Sequence, residues 1–133
     1  MKDRFKFRAW NLEKGIMHYN AEDTYDGISE NGIEHSNFSA LLEDNEYIVM
    51  QSTGLKDRNG KLIYEGDLLK TRFGLILKVY WKEEAAMFWL ETLDGVIPFT
   101  FYAKQQLDGD LMEVIGNIYE NKELLEEQKW KRE

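Results

Sequence analysis

The second half of the chain is a series of short apolar runs separated by turn residues, and this spacing restricts the fold more than any other feature. From Tyr47 onward the runs are YIVMQS, KLIY, DLLKT, GLILKVYW, MFWLETL, VIPFTFY and LMEVIGNIY. Turn signals such as Asn59-Gly60, Glu65-Gly66-Asp67 and Asp94-Gly95 stand between nearly all of them. Because no helical segment intervenes, we predict a mainly β fold, with a small SH3-like or related barrel, or a rolled antiparallel sheet, over residues 47–119.

The N-terminal residues predict a hairpin. Residues 5–10, FKFRAW, alternate apolar and charged side chains, which indicates a strand with Phe5, Phe7 and Ala9 on its buried face. Residues 11–15 are typical of a turn, and residues 16–19, IMHY, of the returning strand.

Two further segments complete the predicted single domain, residues 1–133. Residues 20–36 are rich in polar turn formers and predict a long acidic surface loop, so that residues 1–46 comprise the hairpin and this variable loop. A short helix is expected over residues 37–44, with Asn37 or Ser36 as its cap and Phe38, Leu41 and Leu42 on one face. Residues 120–133 predict a C-terminal helix, with Asn121 as its cap. The single proline, Pro98, is expected at a sheet edge or bulge.

The charge is concentrated in one segment. The net charge is −8, and residues 15–50 alone contain eight acids and no Lys or Arg. This distribution disfavours binding to nucleic acid, which needs clustered cations, and favours a basic or polar protein surface as partner. No run has the length of a membrane span, and cysteine is absent, so we expect a soluble intracellular protein without disulfides.

Residues 50–69, MQSTGLKDRNGKLIYEGDLL, resemble a ligand-binding loop only superficially. A phosphate loop needs four residues between its glycines and Ser or Thr after the lysine, but five separate Gly54 from Gly60 and Leu62 follows Lys61. Neither residues 57–60, DRNG, nor residues 108–110, DGD, have the ligand order of an EF-hand. We interpret the stretch as a folding element whose structural turn residues are Asn59, Gly60, Tyr64, Glu65, Gly66 and Asp67.

The sequence also lacks the residues that a histidine-based metal site would require. His18 and His35 are the only histidines, and we interpret both as surface residues that do not converge on a metal. We therefore predict no catalytic, cofactor-binding or metal-binding residue. An aromatic group on the later strands could stack bases, but residues 80–102 contain one Lys and four acids.

The remaining candidate is an interaction surface. Exposed acids on the loop, together with any tryptophan that the sheet leaves exposed, would form it. Its predicted residues are Glu22, Asp23, Tyr25, Asp26, Glu30, Glu34, Trp81 and Trp89.

The chain resembles the YopX family of small proteins encoded by bacteriophages and prophages. The matching segments are FRAW at residues 7–10, MQSTGLKDRNGK at 50–61, IYEGD at 63–67, VYW at 79–81 and EVIGNIYEN at 113–121. Ser52 and Lys122 depart from the residues common in the family, and residues 20–46 match nothing in particular. The resemblance implies a mainly β fold and a phage context, and it supplies no catalytic residue.

From these observations we expect a non-catalytic phage accessory protein that binds a host or phage protein and forms a homo-oligomer. A nucleic-acid-binding barrel that uses Lys2, Arg4, Lys6 and Arg8 is the first alternative. An enzyme with a carboxylate-lined site is the second.

Overall fold

The computed structural model describes residues 2–26, 30–92, 95–99 and 112–126 of the chain. Two compact units divide it, Met1–Gly54 and Leu55–Glu133. The described strands form one four-stranded and one five-stranded sheet, and every strand pairing with a described register is antiparallel. The predicted mainly β fold with rolled antiparallel sheets is confirmed.

The first unit is built on the predicted N-terminal hairpin. Strands β1 (Phe7–Asn11) and β2 (Ile16–Tyr19) pair with each other, and β1 also pairs with the start of β3 (Tyr47–Lys56). Asn11 closes the turn because its Oδ1 accepts hydrogen bonds from the backbone N–H groups of Glu13 and Lys14, at 3.1 and 3.0 Å. The hairpin prediction is confirmed.

The short helix α1 (Phe38–Leu42) lies within the predicted range and carries the predicted cap. Asn37 Oδ1 accepts from the backbone N–H of Ala40 at 2.8 Å. Leu41 is fully buried and Phe38 half-buried, but Leu42 is 55% exposed, so its expected place on the buried face is wrong. At five residues the helix has only one buried turn, and Leu42 lies beyond it.

Three other expectations for this unit are also wrong. Phe5 belongs to a 3-10 turn, Asp3–Phe5, and is exposed, while Arg8, predicted to face solvent, is 1% exposed. Strict alternation assumes one buried face, yet Arg8 and Ala9 point to opposite faces of β1 and both are buried. Residues 20–36 are more than a surface loop, because Ala21 and Ile33 pack into the first core with Ala9 and Leu41.

The second unit contains strands β4 (Leu62–Tyr64), β5 (Asp67–Lys70), β6 (Ile76–Lys82), β7 (Met87–Glu91), β8 (Val96–Pro98) and β9 (Glu113–Asn117). With β3 they account for all seven predicted runs. Pro98 lies on the edge strand β8, where its missing N–H costs no ladder hydrogen bond, as expected. Residues 122–126 are helical, and the rest of the predicted C-terminal helix, residues 127–133, lies outside the described residues.

A second apolar core lies within this unit. It consists of Ile63, Leu69, Leu77, Val79, Leu90, Phe99, Met112 and Val114. On β6 the alternation of Leu77 and Val79 with half-buried Lys78 and Tyr80 follows the predicted period of two.

Candidate functional site

Both histidines of the chain lie against Tyr47 at one end of the first core. The ring centroids of His18 and His35 lie 6.1 and 5.9 Å from that of Tyr47, and the Asn11 side-chain amide donates to the Tyr47 hydroxyl at 3.3 Å. This arrangement corrects the interpretation of the histidines as separate surface residues, since both are partly buried. Their separation of 17 positions in the sequence gave no sign of it, because the β1–β2 hairpin and the buried segment around Ile33 bring them together.

Each histidine has a defined partner. His35 Nε2 lies 2.8 Å from Asp44 Oδ2, and His18 Nδ1 lies 3.0 Å from the carbonyl oxygen of Asn31. The carbonyl can only accept, so the proton of neutral His18 is on Nδ1. Nε2 of His18 is buried and has no hydrogen-bond partner among the described residues.

The electrostatics of this cluster follow from these contacts. The hydrogen bond from His35 lowers the pKa of Asp44, and the backbone N–H of Glu46 lowers it further. Burial raises the pKa of Tyr47, and the nearby carboxylates Asp44 and Glu34 add to the rise. No group of three or more His, Asp or Glu suited to a metal occurs among the described residues. We interpret the cluster as a structural one.

Most of the acids predicted for the interaction surface are exposed on the first unit, and one is not. Six carboxylates between residues 15 and 50 are exposed: Asp23, Asp26, Glu30, Glu34, Glu43 and Glu46. We call these six side chains the acidic surface. Glu22, predicted to belong to it, is half-buried and its Oε1 accepts from the backbone N–H of Phe7 at 2.8 Å, which is a structural role. Tyr25 is 52% exposed, and an isolated antiparallel bridge to Asn37 fixes its backbone.

The predicted turn at Asn59-Gly60 differs from the two-residue hairpin that the dipeptide suggested. Gly60 has a φ of +82°, but Asn59 is not in the left-handed region, and the connection spans residues 57–61. Asp57 organises this loop. Its Oδ1 accepts from the backbone N–H groups of Asn59 and Lys61, both at 2.8 Å, and its Oδ2 from that of Val114 at 2.9 Å. The acid suggested a metal ligand, yet at 3% exposure it serves backbone donors.

The second predicted turn, residues 64–67, has a similar arrangement. Asp67 is 1% exposed and its Oδ2 accepts from the backbone N–H of Tyr64 at 2.8 Å. Gly66, with a φ of +89°, donates to Val79 O and accepts from Ile118 N. Tyr64 is buried and Glu65 half-buried beside it. The turn therefore connects to β6 and to the residue that follows β9.

The predicted tryptophans differ in exposure. Trp81 is 42% exposed and packs edge-on against Phe88 at 5.0 Å, and Phe88 in turn contacts buried Phe99. Trp89 is half-buried, and Lys82 Nζ lies 4.4 Å from its ring centroid. Of the two predicted tryptophans, only Trp81 is thus an exposed candidate for the interaction surface, while the Lys82 side chain lies over Trp89. Two other members of the predicted aromatic group, Phe101 and Tyr102, lie outside the described residues, as do Asp108, Gly109 and Asp110.

Comparison with known proteins places the chain in a family. The model of the YopX protein family matches residues 6–126. The chain belongs to the YopX family. Among solved structures, protein EF1440 from Enterococcus faecalis shares 30% identity, with a TM-score of 0.61, over 90% of this chain and 96% of that one.

A second solved structure, protein yopX from Bacillus subtilis, has 20% identity and a TM-score of 0.53 over 92% of this chain and 98% of that one, which shows the fold alone. A search of curated proteins finds no match. In the described part of this YopX-family chain, no helix combines the length and apolar character needed to cross a membrane.

One exposed feature of this YopX-family chain was missed from the sequence. Phe73, between β5 and β6, is 83% exposed, and Leu75 beside it is 41% exposed. A usable signal was present, because residues 68–82 contain four Lys or Arg and no acid in a chain of net charge −8. The apolar pattern of this segment predicts two strands and a turn, whereas its charge pattern is the signal for an exposed basic tip.

Proposed function

We propose that the protein is a phage- or prophage-encoded accessory protein that acts in the bacterial cytoplasm without catalysis, by binding a basic protein surface. The observation that supports this most is the acidic surface of the first unit. Its six exposed carboxylates lie in a segment that contains no Lys or Arg. Among the residues that the structure describes, no Lys or Arg ion pair involves them.

A surface that concentrates charge of one sign raises the association rate with a partner of opposite sign. The scaffold beneath the acidic surface is ordered by the cap of α1 and by the Tyr25–Asn37 bridge. Tyr25 adds an exposed aromatic ring among the carboxylates, and aromatic side chains are enriched among the residues that dominate binding energy. A basic partner with an apolar contact would use both.

Nucleic acid is a weaker alternative. Of the four cations that the sequence offered for it, Arg8 is buried in β1 with its guanidinium 6.0 Å from the ring of Tyr19. Three cations near the N-terminus, beside eight acids in residues 15–50, do not form the phosphate-tracking surface that such binding requires.

A carboxylate enzyme has less support than either binding role. The two buried acids among the described residues, Asp57 and Asp67, accept hydrogen bonds from backbone N–H groups. These bonds account for the burial of both carboxylates by a structural role.

The test is a partner titration with charge-neutral variants. A protein captured from phage-carrying bacteria is purified and titrated against the wild type and against Asp26→Asn/Glu30→Gln/Glu34→Gln. Loss of three interfacial charges should weaken binding about tenfold and flatten its salt dependence. The matched control is Glu83→Gln/Glu84→Gln, exposed acids of the second unit, which should bind within about twofold of the wild type.

Two results would contradict the proposal. One is a captured partner that binds the neutralised variant as tightly as the wild type. The other is tight binding of duplex DNA at low salt, where electrostatic affinity is strongest.

A further inference from the structure

The tip of the β5–β6 hairpin is a hydrogen-bonded turn. Thr71 organises it, because its Oγ1 accepts from the backbone N–H groups of Phe73 and Leu75, at 3.3 and 3.1 Å. Thr71 also donates from its backbone N–H to Leu75 O at 2.9 Å, and Gly74 to Thr71 O at 3.0 Å. Gly74 has a φ of +85°, which only glycine adopts easily. The hydrogen bonds and the glycine together favour this conformation of the tip.

This tip exposes apolar side chains among the residues that the structure describes. Phe73 is 83% exposed, the highest value among the large apolar side chains in the described ranges, and Leu75 is 41% exposed. The guanidinium of Arg72 lies 4.9 Å from the centroid of the Phe73 ring and so adds charge beside it. An aromatic ring with an adjacent arginine on a preorganised turn is the composition of a binding hot spot.

The charge of the hairpin indicates what it contacts. Residues 68–82 contain four Lys or Arg and no acid. Lys70 and Arg72 are exposed near the tip, and Lys78 and Lys82 lie on β6, where Lys78 pairs with Glu91 at 3.5 Å and Lys82 lies over Trp89. A complementary surface must be acidic and must offer an apolar contact for Phe73.

We propose that this tip docks on the acidic surface of a second copy of the chain. The six exposed carboxylates of that surface supply the opposite charge, and the exposed side chains of Tyr25 and Leu42 on the same unit supply apolar contact. This proposal rests on the proposed function in one respect, since both assign binding to the acidic surface. The contact joins two different patches, so it is heterologous and extends from copy to copy.

Sedimentation of the full chain over a range of concentrations, at low and at high salt, tests the proposal. The wild type should self-associate at low salt and dissociate as salt rises, because the contact pairs opposite charges. Phe73→Ala should weaken self-association about tenfold or more. Phe5→Ala is the matched control, because Phe5 is also an exposed phenylalanine beside an arginine, with Arg4 Cζ 4.5 Å from its ring centroid.

A charge exchange identifies the second patch. Arg72→Glu and Glu30→Arg/Glu34→Arg should each associate less than the wild type, since each places like charges in contact. Mixing the two should restore association, because the remaining wild-type tip of one variant meets the wild-type acidic surface of the other. Circular dichroism of every variant confirms that it is folded.

Three results would overturn the proposal: a wild type that is monomeric at all concentrations, a Phe73→Ala variant that associates like the wild type, or a mixture that stays dissociated. Binding of the monomeric wild type to anionic lipid vesicles through Phe73 would also overturn it and would assign the tip to a membrane. A monomer that still binds a captured basic partner in the titration above leaves the proposed function intact. If the wild type self-associates but no basic partner is captured, the proposed function is contradicted and the docking of the tip on a second copy is not.

Discussion

At the scale of single residues, acids that suggested ligand chemistry serve the backbone instead. Asp57 accepts three backbone hydrogen bonds, one of them from Val114, which lies 57 positions away. Its carboxylate thus holds a loop and the strand β9 together. In the sequence, Asp57 lies two residues before Asn59-Gly60. This position is equally compatible with a turn, a metal-binding loop or the bridge that the structure shows.

Replacing this carboxylate should destabilise the protein. Asp57→Ala leaves three donors without their acceptor, and the buried Val114 N–H has least access to water, so we expect a loss of about 2–4 kcal/mol in the free energy of unfolding. Urea denaturation measures it. Asn59→Ala, in the same loop but exposed, should cost less than about 0.5 kcal/mol. An Asp57→Ala variant as stable as the Asn59→Ala variant would show that these hydrogen bonds contribute little.

Asp44 gives a prediction for pH. Its pKa is lowered from 3.8, mainly by the hydrogen bond from His35, so its ionised form stabilises the folded state. A lowered pKa means that this stabilisation is complete above 3.8 and is lost as the pH falls through the folded value. In a carboxyl NMR titration, His35→Ala should shift the Asp44 midpoint upward, while His18→Ala should leave it unchanged. An unchanged midpoint in His35→Ala would assign the lowered pKa to the Glu46 N–H.

At the scale of elements, strands were predictable and their connections were not. Short apolar runs bounded by glycine-containing turns predicted all seven strands from β3 to β9. They did so because burial of a strand in a sheet imposes a local pattern on its own residues. The loop at residues 57–61 was predicted incorrectly, since its conformation depends on the distant Val114 as well as on Asn59-Gly60. The polar cluster around Tyr47 was missed for the same reason, because side chains from three separate segments form it. The acidic residues were found, since charge is visible without a fold.

Gly116 on β9 gives an element-scale prediction. A Cβ at this position would lie 2.6 Å from Asn121 Cγ, and Asn121 Oδ1 accepts from the Asn117 N–H at 3.1 Å to hold the turn after the strand. Gly116→Ala should therefore displace Asn121 and cost about 1–3 kcal/mol. Asn121 was expected to cap the C-terminal helix through its side chain, which instead binds this N–H of the preceding strand.

A double-mutant cycle in thermal or urea denaturation separates two effects of Gly116→Ala: the steric clash with Asn121 and the strain in the backbone of residue 116. Asn121→Ala loses the hydrogen bond but removes the two atoms nearest the added Cβ, Oδ1 and Cγ, and leaves only the Cβ of residue 121 at 3.0 Å, so the double variant should be more stable than the sum of the single effects predicts. Strictly additive effects would locate the strain of Gly116→Ala in its own backbone.

At the scale of the whole molecule, the apolar residues form two clusters, one in each compact unit. The sequence led us to predict one domain, because apolar residues are distributed along its whole length and no linker interrupts them. Composition cannot reveal the division, since it falls inside the uninterrupted strand β3, which begins in Met1–Gly54 and ends in Leu55–Glu133. Whether the two units unfold together remains a prediction.

Strand β3 runs without a break from the first unit into the second. Unfolding either unit therefore leaves the other unit with a strand that is held at one end only. We therefore expect one cooperative transition. Leu41→Ala in the first core and Leu90→Ala in the second should each lower the free energy of unfolding by about 2–5 kcal/mol. Native-state hydrogen exchange should then show that the free energy of opening falls equally for the slowest amides of both units, whichever leucine is changed. If each substitution accelerates exchange in its own unit alone, the units are separate domains and the single-domain prediction is wrong.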